Sequence, residues 1–157
     1  MIGLARMFAH WRGVARDYAR AKQWFEIAAE QGHPSAALNL GVMYDQGLGV
    51  SADPQRAVEY LRKAGEACHP EACNNLGVAY WAGEGVMPND TLAVYWFKRG
   101  AKRGSADAQH HYACAFEAGR GVTASERDAI DWWKQAARQQ QAAALEKLAA
   151  RGVRFLA

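Results

Sequence analysis

Apolar residues in this chain fall at helical spacing in short blocks. Ala36, Leu40 and Tyr44 lie four apart on one face, and Ala57, Tyr60, Leu61 and Ala64 line another. The blocks recur at intervals of 36 residues without a gap: Leu40-Gly41, Tyr44, Gly47, Gly49-Val50 and Asp53 are matched by Leu76-Gly77, Tyr80, Gly83, Gly85-Val86 and Asn89. A second shift reaches Tyr112-Ala113, Phe116, Gly119, Gly121-Val122 and Ser125, and a backward shift reaches Leu4-Ala5, Phe8, Gly13-Val14 and Asp17. The second block repeats as Ala21, Ala57, Ala93 and Ala129, with Trp24-Phe25, Tyr60-Leu61, Trp96-Phe97 and Trp132-Trp133 behind them.

Each unit therefore predicts two amphipathic helices. Glycine at 47, 83 and 119 ends the first, because it takes the left-handed conformation without a Cβ clash. Asp17, Asp53, Asn89 and Ser125 open the second, since their side-chain oxygens accept the free amides of a helix start. Pro54 follows at the first helical position, and Pro34 and Pro70 mark the start of first helices in the same way. First helices are expected near 35–46, 71–82 and 107–118, and second helices near 18–31, 54–67, 90–103 and 126–139. One such pair cannot cover its own apolar face, so the units must stack.

The fold class is thus all-α: an α-solenoid of antiparallel helix pairs, forming a single repeat domain over residues 1–157. It divides into a partial unit 1–34, units 35–70, 71–106 and 107–140, and a C-terminal capping helix within 141–157 that stops at Gly152. Leu4 and Phe8 match only the later half of a first helix. Leu4, Met7, Phe8 and Trp11 could expose an apolar edge that self-associates, meets a partner or marks a truncated terminus.

Composition narrows the function classes. Half of the 157 residues are apolar, enough for a continuous core, and the net charge of +3 is too mild for a nucleic-acid binder. A basic run at Arg6, Arg12, Arg16, Arg20 and Lys22 reads as a solvated helix face that could also attract an acidic partner. No apolar stretch approaches a membrane span, and no signal-peptide pattern opens the chain. Three unevenly spaced cysteines do not form a disulfide framework. These features predict a soluble, cytoplasmic protein, or a periplasmic one if a leader was removed. Neither a nucleophile elbow nor a phosphate-cradling loop is found, so no catalytic residue and no cofactor is assigned.

The pattern Ala-x-x-x-Leu-Gly-x-x-Tyr-x-x-Gly-x-Gly-Val, followed by Asp, Ala, an aromatic pair and Ala-Ala-x-x-Gly, resembles the Sel-one-like repeat (SLR). The match covers four units, and Trp24 to Gly32 carries its Trp-Phe-x-x-Ala-Ala-Glu-Gln-Gly segment. The 36-residue period and the Gly-x-Gly-Val turn set it apart from the related 34-residue tetratricopeptide repeat. The resemblance implies a right-handed, tetratricopeptide-like superhelix that acts as an adaptor in bacterial signalling, envelope or host-interaction assemblies. A secreted, disulfide-rich branch, linked to penicillin-like compounds, pairs cysteines eight positions apart. Here Gly65 stands where the partner of Cys73 would be, so that activity is not carried over. Cys68 and Gln140 replace the terminal glycine of their units, and Ala113 replaces the glycine of Leu-Gly.

By likeness to tetratricopeptide arrays, variable first-helix positions line a concave groove. They include Arg6, Leu38, Gln46, Glu71 and Asp107, and from this set Asn39, Asp45, Asn74, Asn75, Trp81, His110, His111 and Glu117 are assigned to a peptide or protein partner. Amides can bond a partner's main chain while Trp81 supplies an anchor; alternatively, Asn39 and Asn75 bond only neighbouring turns. Glu71 and Asp107, one period apart, could approach each other. A second reading, from another class, is an enzyme or metal-binding protein using Asp107, His110, His111 and Cys114, where His110 and Cys114 form an i, i+4 pair. Cys68, His69 and Cys73 form a looser group. The assignment carries no metal.

Overall fold

The computed structural model describes residues 18–154. Within them the regular structure is helical: α1 (Tyr18–Glu30), α2 (Pro34–Gln46), α3 (Pro54–Glu66), α4 (Pro70–Ala82), α5 (Asp90–Lys102), α6 (Ala106–Ala118), α7 (Glu126–Arg138) and α8 (Ala142–Ala150). Each helix packs on its sequence neighbour, and α4 also meets α6 across the intervening helix, which makes the chain an α-solenoid of helix pairs. First helices begin one residue earlier than expected and second helices end one residue earlier. The partial first helix, the apolar edge at Leu4, Met7, Phe8 and Trp11, and Arg6 lie outside the described residues.

Helices α1 to α7 share one length, 13 residues. Asp53, Asn89 and Ser125 accept the amides of Arg56, Leu92 and Asp128 at the starts of α3, α5 and α7. Their own amides donate back to the carbonyls of Tyr44, Tyr80 and Phe116 at 2.8, 2.9 and 3.1 Å. The aromatic residue of each first helix is thereby tied to the start of the second. Tyr44 and Tyr80 are both buried, and their hydroxyls accept from Arg56 and Arg62.

Burial follows the period. Ala36, Ala72, Ala108 and Ala144 are all 0% exposed, and so are Leu40 and Leu76. Phe25, Leu61, Phe97 and Trp133, the second member of each aromatic pair, are at most 5% exposed and form the core between a helix and its partner. Gly41 and Gly77 make room for them: a Cβ on Gly77 would lie 2.4 Å from the ring of Phe97. In the third unit Ala113 packs with Trp133 instead, both fully buried, so this departure is absorbed locally.

The second glycine of each Gly-x-Gly-Val turn meets the preceding unit. A Cβ on Gly49 would lie 2.3 Å from Tyr18, one on Gly85 2.2 Å from the carbonyl oxygen of Pro54, and one on Gly121 2.3 Å from that of Asp90. Tyr18, Pro54 and Asp90 are themselves 36 apart, at the starts of α1, α3 and α5. Backbone touches backbone at Gly85 and Gly121, Gly49 meets the Cβ of Tyr18, and no further side chain fits between.

At the turns between units, Gly32 and Gly104 adopt positive φ, and so do the two residues that stand in for glycine, Cys68 at 62° and Gln140 at 59°. A residue with a Cβ costs roughly 1–2 kcal/mol there. Gln140 is exposed, and replacing it should relieve that strain alone. Gln140→Gly is expected to stabilise the array by about 1 kcal/mol, read as a rise in melting temperature of roughly 2–4 °C; no rise would show that the position is relaxed. Gly85→Ala is expected to cost roughly 2–4 kcal/mol in a denaturant melt because its Cβ meets backbone. Gly104→Ala, which meets open space, should cost only about 1 kcal/mol.

Candidate functional site

α2, α4 and α6 stand side by side and form one wall of the array, because each first helix turns the same apolar stripe to its partner and leaves positions 35, 38, 39, 42 and 45, with their equivalents, on the other side. Two adjoining cavities run along this wall. One, of about 320 Å³, is lined by Leu38, Asn39, Val42, Glu71, Asn74, Asn75 and Asp107. The other, of about 220 Å³, lies where α2, α3 and α4 meet and includes Val42, Asp45, Gln46, Leu61, Asn75 and Glu84. Val42 and Asn75 belong to both, so the two form one groove. It brings together Asn39, Asp45, Asn74 and Asn75 of the assigned residues, and Glu71 and Asp107 share its wall. Its lining holds Asp45, Glu71, Glu84 and Asp107 and neither lysine nor arginine.

The amides are partly committed. Asn39 donates to the Ser35 carbonyl within its own helix at 2.6 Å. Asn74, almost fully buried, donates to Asn75 Oδ1, and its own Oδ1 lies 2.8 Å from His111 Nδ1, one unit further along. With a carbonyl as partner, that ring nitrogen carries the proton. Among the described residues no hydrogen bond draws on the Nδ2 of Asn75, which leaves it two donors for an incoming main chain.

The remaining assigned residues lie further along the wall. His111 stacks on Phe97 with ring centroids 5.1 Å apart and meets the edge of Trp81 at 6.2 Å. Trp81 is half-buried: its ring is edge-on to Phe97 at 4.8 Å and lies beneath the Arg120 guanidinium at 4.9 Å. It fills a gap between helices and projects less than a free anchor would. Glu117 is held by Lys147 at 2.7 Å and by Arg151, and both cations also lie over the Trp133 ring. Burial alone would push its carboxyl up, but hydrogen bonds from Lys147 and Arg151 outweigh this and hold it below the ordinary range. Glu117 thus ties the C-terminal helix to the array, a role spread over 30 and 34 residues that local spacing does not reveal.

The four groups of the second reading do not converge. His110 Nε2 lies 3.5 Å from Cys114 Sγ, but His111 turns to Asn74 and Asp107 accepts from Gln141 at 3.3 Å. Among the described residues no group of three or more His, Cys, Asp or Glu side chains is disposed to hold a metal ion. Burial pushes the Cys114 thiol up. Of the looser group, Cys73 is buried with its sulfur 3.6 Å from the Gly65 carbonyl, and burial pushes its thiol up to about 11. A Cβ at Gly65 would press on Leu76 and Trp96, so a cysteine does not fit there without repacking. Cys68 receives Arg99 Nη2 at 3.1 Å, which lowers its pKa. A buried polar link that the sequence reading missed is Gln109, which donates to the Ala101 carbonyl and accepts from Gln139. Its position is occupied by Ala37 and Cys73 in the other units, so no pattern signals it.

Comparison with known families matches the Sel1 repeat over residues 1–33, 34–67, 70–105 and 106–141. Among solved structures, the chain is similar to a Sel1 repeat protein from Oxalobacter formigenes, with 32% identity and a TM-score of 0.89 over 98% of this chain and 65% of that one. It is also similar to a protective antigen of uropathogenic Escherichia coli strains displaying an SLR fold, at 33% identity and a TM-score of 0.87 over 96% of this chain and 33% of that one. Cysteine rich protein B of Helicobacter pylori shares the fold at 24% identity and a TM-score of 0.67, over 87% of this chain and 98% of that one. The chain thus spans less than two thirds of the length of the first two. No curated protein matches.

Burial lowers the pKa values of His110 and His111, with Lys147 adding to the effect at His110 and His110 at its neighbour, while Asp107 opposes at both and Glu117 at His110. The unfolded chain takes up these protons near pH 6.5 and the folded chain only at lower pH. The stability gained by keeping both rings neutral is therefore complete above that pH and drains as pH falls through it. Melting temperature is expected to drop between about pH 7 and 5.5, and His111→Asn, which installs the residue found at 39 and 75, should flatten that drop. An unchanged slope would show that His111 titrates normally.

Proposed function

Since the chain belongs to the Sel1 repeat family, whose fold is generally a scaffold for protein–protein interaction, we propose that it binds a peptide or protein partner in the groove lined by α2, α4 and α6. The observation that carries this reading is the continuous cavity pair joined at Asn75, with apolar Leu38, Val42 and Leu61 below and amides and carboxylates along the rim. A groove of this kind suits an extended segment or one helix face: apolar side chains enter the floor while Asn75 bonds main chain. Proteins of this family are typically non-enzymatic scaffolds, and the dispersed geometry of Asp107, His110, His111 and Cys114 favours no catalytic alternative. Among the described residues no helix is long and apolar enough to cross a membrane. A bacterial assembly is the proposed setting, supported by the three bacterial proteins to which the chain is similar.

Peptides selected from a random displayed library on the immobilised protein provide the test. Asn75→Ala combined with Glu71→Ala is expected to weaken their capture by roughly tenfold or more. Glu59→Ala with Lys98→Ala, exposed on the second helices outside the groove, should leave capture unchanged. The reverse outcome places the binding surface on the other face.

A further inference from the structure

The 36-residue period allows three slots to be compared position by position, each where a first helix, its own second helix and the next first helix meet. In the middle slot Trp81 stands above Phe97, and the Arg120 guanidinium lies 4.9 Å over the Trp81 ring with its Nε 2.7 Å from Asp90. In the last slot Glu117 and Trp133 take the places of Trp81 and Phe97; Arg151 pairs with Glu117 and lies 4.6 Å over Trp133, with Lys147 beside it. Two independent slots thus hold a guanidinium supplied by the chain itself, from unrelated positions.

The first slot is built on the same frame and differs in charge. Asp45 takes the place of Glu117, Leu61 that of Trp133, and Glu84 stands where the middle slot has Arg120. The cation of the middle slot is replaced by an anion. Pro54 takes the place of Asp90, so Glu84 and Asp45 are the acids that remain. Both are exposed, neither makes an ion pair among the described residues, and the space between them is open at about 220 Å³.

The geometry points to the first slot as a receptor for an arginine side chain carried by the partner. The inference rests on the groove reading above and deepens it by naming what the partner presents. Val58 and Leu61 offer the arginine stem an apolar wall, and the planar guanidinium has five donors for Asp45, Glu84 and the Asn75 carbonyl oxygen. A lysine would bring a more strongly hydrated point charge that cannot fork between two carboxylates. The chain's own choice agrees, since arginine is the cation common to the other two slots, alone in the middle one and beside Lys147 in the last.

The test is an amide-resolved NMR titration of the whole chain with N-acetyl-arginine amide. Saturable shifts at Asp45, Asn75 and Glu84 are expected, with a weaker response to N-acetyl-lysine amide and none to the neutral, nearly isosteric N-acetyl-citrulline amide. Asp45→Asn and Glu84→Gln should each weaken binding roughly tenfold, and Glu84→Arg, which puts the middle slot's cation in place of the acid, should abolish it. Glu117→Gln should leave it unchanged. An equal response to citrulline, retention of binding in Asp45→Asn, or no saturable shift would overturn the proposal. Such a failure is separable from failure of the groove: peptides that still require Asn75 and Glu71 but tolerate loss of arginine sink the slot alone, whereas peptides indifferent to Asn75 and Glu71 sink the groove itself.

Discussion

The joint between units is a contact of glycine backbone on backbone or on a fixed Cβ, and the array depends on it. At Gly49, Gly85 and Gly121 the turn of one unit rests on the first residue of the second helix of the unit before, with no room for even one carbon. Such a contact fixes the separation of successive units more tightly than side-chain packing can, because neither surface can adjust a rotamer. It also explains why the period holds at 36 without insertion: the turn that caps the first helix is the same turn that docks. Helices of 13 residues are marginal alone, so most of their stability comes from these joints and from the core that they align.

With spacing fixed, variation is confined to side chains that do not build joints. Position 45 and its equivalents, 81 and 117, carry Asp, Trp and Glu on one frame, and position 84 carries Glu where 120 carries Arg. The joints stay constant while the same slot holds an indole under a guanidinium, an ion pair beside a cavity of about 290 Å³, or two acids around a cavity of about 220 Å³. In the C-terminal half, Arg120 also reaches the Trp81 carbonyl and Arg151 secures the last helix. In the first slot Asp45 and Glu84 lack, among the described residues, a cation from the chain itself, and that is where the proposed arginine enters.

The period, the helix limits and the caps were legible in the sequence, because each depends on residues within a few positions of one another: Asp53 on Arg56, Gly83 on Ala79. The exposure of groove residues was legible only in part. Asn39, Asp45, Asn74 and Asn75 do line one groove, since first-helix register alone decides that. Whether Trp81 projects or fills a gap depends on the room beside Phe97 and on Arg120, 39 residues away. Likewise, His111 and Asn74 meet across 37 residues and Arg151 meets Glu117 across 34, one unit apart give or take a turn position. Contacts of this kind require the superhelix to be known first. The positive φ at Cys68 and Gln140 was foreshadowed by their taking the place of glycine, but that the chain tolerates the strain at both is a property of the stacked structure.

Residues 36 apart that build the turns and joints have equivalent structural roles. Amide hydrogen exchange tests this most directly at Asp53, Asn89 and Ser125, whose amides are bonded to the carbonyls of Tyr44, Tyr80 and Phe116. Similar, strong protection at all three, far above that of the neighbouring amides of Ala52 and Ala124, is the result expected. Rapid exchange at any of them, or protection factors unrelated to one another, would contradict it.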